Sequence, residues 1–212
     1  MKAREEPKSD WNDGFLFLGN QLTLDFLNTR PVLDGEPVDL LPDLQAVLRW
    51  FYAAGLISSR QRTTLLDRWS GLESGRRTVE ALQEWREKLR KEVTAWEQGY
   101  PVHRNMVNEL NRLLADHPMS SRLKAEGART SLEFCLRPQH PEDLIAPLAH
   151  SAAKLFAETA RSRVRQCGNC MLHFLDTSKK GTRRWCSMQL CGNRLKVAAY
   201  AARRRSRKKV VV

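Results

Sequence analysis

Residues 167–191 read CGNCMLHFLDTSKKGTRRWCSMQLC, which sets four cysteines as Cys167-x2-Cys170, a fifteen-residue interval, and Cys186-x4-Cys191. Zinc, a borderline-soft cation, binds thiolate sulfur tightly, and four thiolates complete a tetrahedron with no open position for substrate or water. The expected cofactor is therefore one structural Zn2+. A single Cys-x2-Cys would equally suit a redox pair; the second pair at compact spacing favours metal. His173 lies between the pairs and could replace a ligand, but the four thiolates already make a full set. Cys135, the one cysteine elsewhere, reads as a strand residue.

Charge divides the chain at the same place. Of 36 Lys and Arg and 24 Asp and Glu, residues 161–212 hold fifteen basic residues and one acid, Asp176, a net of +14. Residues 1–160 then carry −2, so all the excess positive charge sits around the cysteines. A basic module on a neutral body points to a polyanionic partner. No stretch approaches the roughly 18 consecutive apolar residues of a membrane span, and the start MKAREEPKSD is charged where a signal peptide is apolar. The expected location is the cytoplasm, in association with the nucleoid, without a membrane partner.

The body should be α+β, mainly helical with a small antiparallel sheet. Residues 1–13 read as a flexible arm, 14–160 as the body, 161–209 as the zinc module with its basic helix, and 210–212 as a tail. Phe15–Leu18 predicts a short strand and LTLDFLNT a helix, although both periods are partly met there. Pro31, Gly35 and Pro37 favour a loop over 30–39, whose acids face a ligand or water. Helices are predicted from Leu41 to Gly55, from Ser58 or Ser59 to Gly71, from Arg77 to Gln98, from Val102 to Ala115 and from Glu142 to about Val164. In RTSLEFCLR, Leu132, Phe134 and Leu136 alternate with Ser131, Glu133 and Cys135, the period of a half-buried strand. Trp50, Trp69, Trp85 and Trp96 fall at spacings that suit a core or the wall of an effector pocket. The histidines lack a paired acid or nucleophile at recognisable spacing, so no enzyme is expected.

Within the zinc module, Gly168 and Asn169 suit a tight turn, and Ser187 is a plausible N-cap that would place Cys186 just before a helix and Cys191 one turn inside it. Leu172, Phe174, Leu175 and Trp185 make too small a core to hold the module without metal.

WCSMQLCGNRLKVAAYAARRR resembles the signature of the CGNR zinc finger, named for Cys191, Gly192, Asn193 and Arg194. GNQLTLDFLNT is similar to the N-terminal motif of the ABATE domain, which accompanies this finger in bacterial stress-induced transcription regulators. The resemblance spans nearly the whole chain. It implies that Cys167, Cys170, Cys186 and Cys191 hold zinc and that the finger contacts DNA. It also makes Asp25, Asn28 and Thr29, polar residues inside an apolar motif, the candidate effector site, although local capping accounts for them equally well.

On a helix after Cys191, Asn193, Lys196, Tyr200, Arg203, Arg204 and Arg207 share one sector, and Val197, Ala198 and Ala201 lie opposite, with Arg194 at the border. Arg and Lys there would grip phosphates, and Asn193 could reach a base edge. Lys179, Lys180, Arg183 and Arg184 would widen the phosphate-binding surface, or are solvated loop charges. Tyr200 is the sole aromatic in the sector, which favours duplex DNA over stacked single strands. The expectation is a zinc-finger DNA-binding transcription regulator whose body senses a small-molecule effector, with a homodimer as one assembly. The alternative is a zinc-stabilised RNA- or protein-interaction protein.

Overall fold

A computed structural model describes residues 11–33, 36–127 and 129–192. The basic segment from Asn193 onward lies outside these residues. In chain order, a hairpin of β1 (Trp11–Asn12) and β2 (Phe15–Leu16) precedes α1 (Leu22–Leu27) and a second short hairpin, β3 (Val32–Leu33) with β4 (Glu36–Pro37). Four helices follow: α2 (Leu44–Ala53), α3 (Ser59–Trp69), α4 (Glu73–Glu97) and α5 (Arg104–Asp116). The hairpin of β5 (Ser120–Glu126) and β6 (Arg129–Cys135) leads through a 3-10 turn to α6 (Ile145–Glu158). Finally β7 (Val164–Gln166) and β8 (His173–Leu175) pair antiparallel and carry the first two cysteines between them.

Local chemistry accounts for most helix ends. Asp43 accepts the Ala46 N–H at 2.8 Å to start α2, so Pro42 lies just outside the first turn, and Ser58 with Gln61 forms a reciprocal capping box on α3. Gly55 and Gly71 follow the ends of α2 and α3 with left-handed backbone. The gap between the helices predicted to end at Gly71 and to start at Arg77 is shorter than expected, because α4 begins at Glu73 and takes Gly75 inside. A Cβ on Gly75 would lie 3.0 Å from the Trp69 carbonyl oxygen and 3.2 Å from Leu44 Cδ2, so its role is close packing between helices.

All six helices α1 to α6 contribute buried residues to one core. Trp50 is fully buried and meets Phe26 and Phe51 at ring separations of 5.8 and 5.5 Å, while Trp85 lies 6.0 Å from Phe26 and Trp96 meets Phe156 edge-on at 5.2 Å. With Trp69 also buried, the four tryptophans at helical spacing are core residues, and Trp85 in addition lines a surface cleft.

Two expectations need correction. The predicted last helix stops at Glu158, and Thr159–Val164 turn into β7, where Val164 is buried as a strand residue. The alternating strand is also not half-buried, since Leu132 and Phe134 are 61% and 44% exposed. Alternation marks burial only where a second layer covers one face. Here Leu132 pairs with the equally open Leu123 across the hairpin, and Phe134 leans on the His150 ring at 4.5 Å. Only Leu136, past the strand end, enters the core. Among the described residues, no helix is long and apolar enough to cross a membrane.

Candidate metal centre

The β7–β8 hairpin builds the first half of the centre. Met171 N–H donates to the Cys167 carbonyl at 3.0 Å and Cys167 N–H to the Leu172 carbonyl at 2.8 Å, folding the chain so that Cys167 and Cys170 face one point. The left-handed residue of this turn is Met171, not Gly168, at which a Cβ would meet nothing within 4 Å. Asn169 turns inward instead, and its amide donates to Cys191 Sγ at 3.4 Å.

The second half follows Trp185. Ser187 Oγ accepts the Gln189 N–H at 3.0 Å, and Cys191 N–H donates to the Ser187 carbonyl at 3.1 Å. Ser187 therefore caps a single π-type turn, Met188–Gly192, with Cys186 before it and Cys191 within it.

The four sulfurs all lie within 4.8 Å of one another, and Cys170 and Cys186 Sγ are 3.5 Å apart. A tetrahedron with Zn–S bonds of about 2.3 Å has S–S edges of about 3.8 Å, so the cluster fits one zinc ion. The sulfurs are close enough to perturb one another. Hydrogen bonds from the Cys170 and Cys186 thiols pull Cys167 well below the ordinary thiol range, and its sulfur in turn pushes Cys186 up and Cys170 to about 12. Zinc binding would displace the protons that Cys170 and Cys186 hold and balance the charge of four thiolates. His173 is not a ligand: Phe174, its neighbour on β8, packs against the cysteines, while His173 Nδ1 lies 3.8 Å from Glu97 on α4.

The candidate polyanion-binding residues of the intervening loop divide. Lys179, Lys180 and Arg184 are exposed. Arg183 stacks its guanidinium 4.9 Å above the Phe174 ring and donates Nε to the Trp185 carbonyl at 2.9 Å, so it braces the loop. Asp176, the one acid of the module, is the loop's buried hub. Its carboxylate accepts the Ser178 and Arg183 N–H groups at 2.9 and 2.8 Å. Burial alone would raise its pKa, but these bonds outweigh it and hold the group at about 2. In the sequence Asp176 stands out only as the one acid among fifteen basic residues. Asn193, Arg194, Lys196, Arg203, Arg204 and Arg207 lie outside the described residues.

The body completes the centre. Leu16 and Leu18 join Leu172, Phe174, Cys167, Cys186 and Cys191 in one buried cluster, which enlarges the small core expected from residues 172–185. Gly19 accepts the Leu175 N–H at 2.8 Å on its carbonyl, and Glu97 Oε1 accepts the Gln166 N–H at 2.7 Å.

Asn28 lies on this junction, Asp25 holds Gly19 beside it and Thr29 bonds within the body, and all three are buried. Asn28 exchanges two hydrogen bonds with the His173 backbone, Nδ2 to its carbonyl at 2.8 Å and its N–H to Oδ1 at 2.9 Å. Thr29 Oγ1 donates to the Phe26 carbonyl at 2.7 Å and accepts from buried Arg86 at 2.8 Å. Asp25 Oδ1 accepts the Gly19 N–H at 2.6 Å. The contact is so close that a Cβ on Gly19 would fall 2.7 Å from Leu24 Cβ and 2.8 Å from the Asp25 nitrogen.

Burial raises the Asp25 pKa to about 7 despite the backbone N–H groups of Gly19 and Leu18, which favour the anion. Because the folded state holds this proton more tightly than the unfolded chain, the stabilisation is full below about pH 3.8 and is lost as pH rises to about 7. Three units correspond to roughly 4 kcal/mol. Urea unfolding of Asp25→Asn should show this component of the pH 4–8 dependence removed, with the variant more stable than the parent at pH 8. An unchanged pH profile would count against the assignment.

Comparison with known families gives two matches. Residues 20–159 match the ABATE family model, described as "Putative stress-induced transcription regulator", and residues 163–204 match the CGNR zinc finger. No curated protein matches the chain. The four cysteines are thus the single structural zinc site of a CGNR finger. With 20–159 matched to the first model and 163–204 to the second, the chain belongs to the ABATE family and carries a C-terminal CGNR zinc finger.

Proposed function

We propose that the protein is a DNA-binding transcription regulator whose zinc finger presents the basic segment after Cys191 to duplex DNA. One observation carries the reading: the capped turn Met188–Gly192, which contains the fourth zinc ligand, runs directly into a segment with eight Lys and Arg and no acid over 193–209. A metal-pinned start gives a helix there a fixed direction, and Lys196, Arg203, Arg204 and Arg207 then supply phosphate contacts, with Asn193 and Arg194 nearest the pinned end. Exposed Lys179, Lys180 and Arg184 extend the same positive surface.

In this reading the helical body is the sensing part. A cleft of about 670 Å³ between α4, α5 and the start of α6 has a floor of Leu82, Trp85 and Leu113 and a charged rim that includes Arg77, Lys88 and Glu109. It is a more open effector site than Asp25, Asn28 and Thr29, whose polar groups already engage the protein.

Salt titration of duplex binding tests the reading. Log K should fall linearly with log salt, and Lys196→Glu or Arg203→Glu should each reduce the slope by about 0.9 while leaving zinc content unchanged. Duplexes selected from a random pool should share a sequence. Equal affinity for RNA and for random duplex would refute regulation through sequence-specific DNA binding.

A further inference from the structure

We propose that the segment from Leu16 to Thr29 is the second half of the zinc module, with Asn28 as its positioning residue, so that zinc retention and the order of α1 are coupled.

The cysteine cluster is closed on one side by Leu16 and Leu18, which are 3% and 4% exposed and lie about 150 residues before the first ligand. The hydrogen bonds follow the same line. β8 emerges from the first cysteine pair, and Leu172, just before it, accepts the Cys167 N–H. α1 and its entry turn grip this strand at two alternate residues. Asn28 satisfies both the N–H and the carbonyl of His173, and Gly19 and Asn20 satisfy the N–H and carbonyl of Leu175, the latter at 3.2 Å. The Asn28 amide thus stands in for a neighbouring β-strand at a position where neither it nor His173 reaches solvent. Without it, two buried backbone groups lose their partners.

α1 is fixed just as firmly on its far side. Ser151 of α6 bonds Gln21 and Thr23 at 2.9 Å, and Arg86 of α4 bonds Thr29 at 2.8 Å. The helix therefore cannot shift on the body without releasing β8, and β8 cannot shift without opening the cysteine cluster. Such coupling is reciprocal: whatever α1 contributes to zinc affinity, zinc contributes to the stability of α1.

Two measurements on the full chain test this under reducing conditions, and neither involves nucleic acid, so they stand apart from the DNA reading. Zinc transfer to a chromogenic chelator should be at least ~10-fold faster from Asn28→Ala than from the parent, as for other residues that orient metal ligands from outside the coordination shell. Asn28→Asp, which keeps the acceptor for the His173 N–H and loses the donor, should also release zinc faster than the parent. In the unaltered protein, zinc removal should lower hydrogen-exchange protection of the amides in 22–29 by tenfold or more while α3 amides stay protected. Parental release rates in both variants would overturn the proposal, as would unchanged protection of 22–29 in the metal-free chain. If Asn28→Ala fails to fold, the exchange comparison decides alone.

Discussion

Cys186→Ser is expected to abolish zinc retention, with metal content falling from one equivalent to near zero. Cys186 is 1% exposed at the junction of the two cysteine pairs, and its sulfur lies 3.5 Å from that of Cys170. A serine oxygen is a poor substitute for a thiolate at zinc, and three thiolates leave an open position in a buried cluster. Structural zinc contributes on the order of 10 kcal/mol to modules of this kind, far more than the few apolar side chains of the cluster. Duplex binding should be lost with the metal. The core of α2–α6 is built from other residues, so far-UV helicity should persist at 25 °C, but the melting temperature should fall because Leu16 and Leu18 lose their cover. Full metal content in the variant would refute the ligand assignment.

Asp39→Asn should be the most damaging single change in the body outside the aromatic core. Arg86 is only 1% exposed, and Asp39 receives both of its terminal nitrogens, one at 3.0 Å and the other closer. Burial alone would raise the Asp39 pKa, but the Arg86 guanidinium and the Leu41 N–H hold it below the usual carboxylate range. Removing the anion leaves a buried cation, whose main remaining counter-charge is Glu87 at 3.3 Å from Nε. Breaking a buried pair from one side typically costs 3–5 kcal/mol. With Glu87 in place, about 3 kcal/mol is expected, or roughly 10 °C in Tm for a chain of this size. The double variant Asp39→Leu/Arg86→Met, which removes both charges, should recover much of the loss. A double variant less stable than the single would show that the pair is not what holds this region.

Asp39 also shows where sequence reading stops. Pro31, Gly35 and Pro37 predict a loop where the structure has the short β3–β4 hairpin, and the chemistry of its acids stays open between ligand and water. The answer, Arg86, lies 47 residues away on α4, and neither residue alters the local pattern of the other. α1 is a similar case. Five of its six residues, Thr23 to Leu27, are buried. A short helix buried on nearly every side has no polar face, so neither the helical nor the strand period can dominate. β6 failed for the opposite reason, since alternation without a covering layer looks the same in sequence as alternation beneath one.

The sequence by itself determined whatever is encoded within a few residues: the four ligands at their spacings, the Ser187 turn, the serine cap of α3, the apolar faces of the helices and the gathering of positive charge after residue 160. Only the tertiary structure decided that the zinc module is not a separate piece. Leu16, Leu18 and Asn28 lie about 145 residues or more before the groups they meet, and an asparagine inside an apolar motif reads the same whether it caps a helix, meets an effector or holds a distant strand. Side-chain bonds to backbone carry no periodicity, so the clamp between α1 and β8 becomes visible only when the chain is folded.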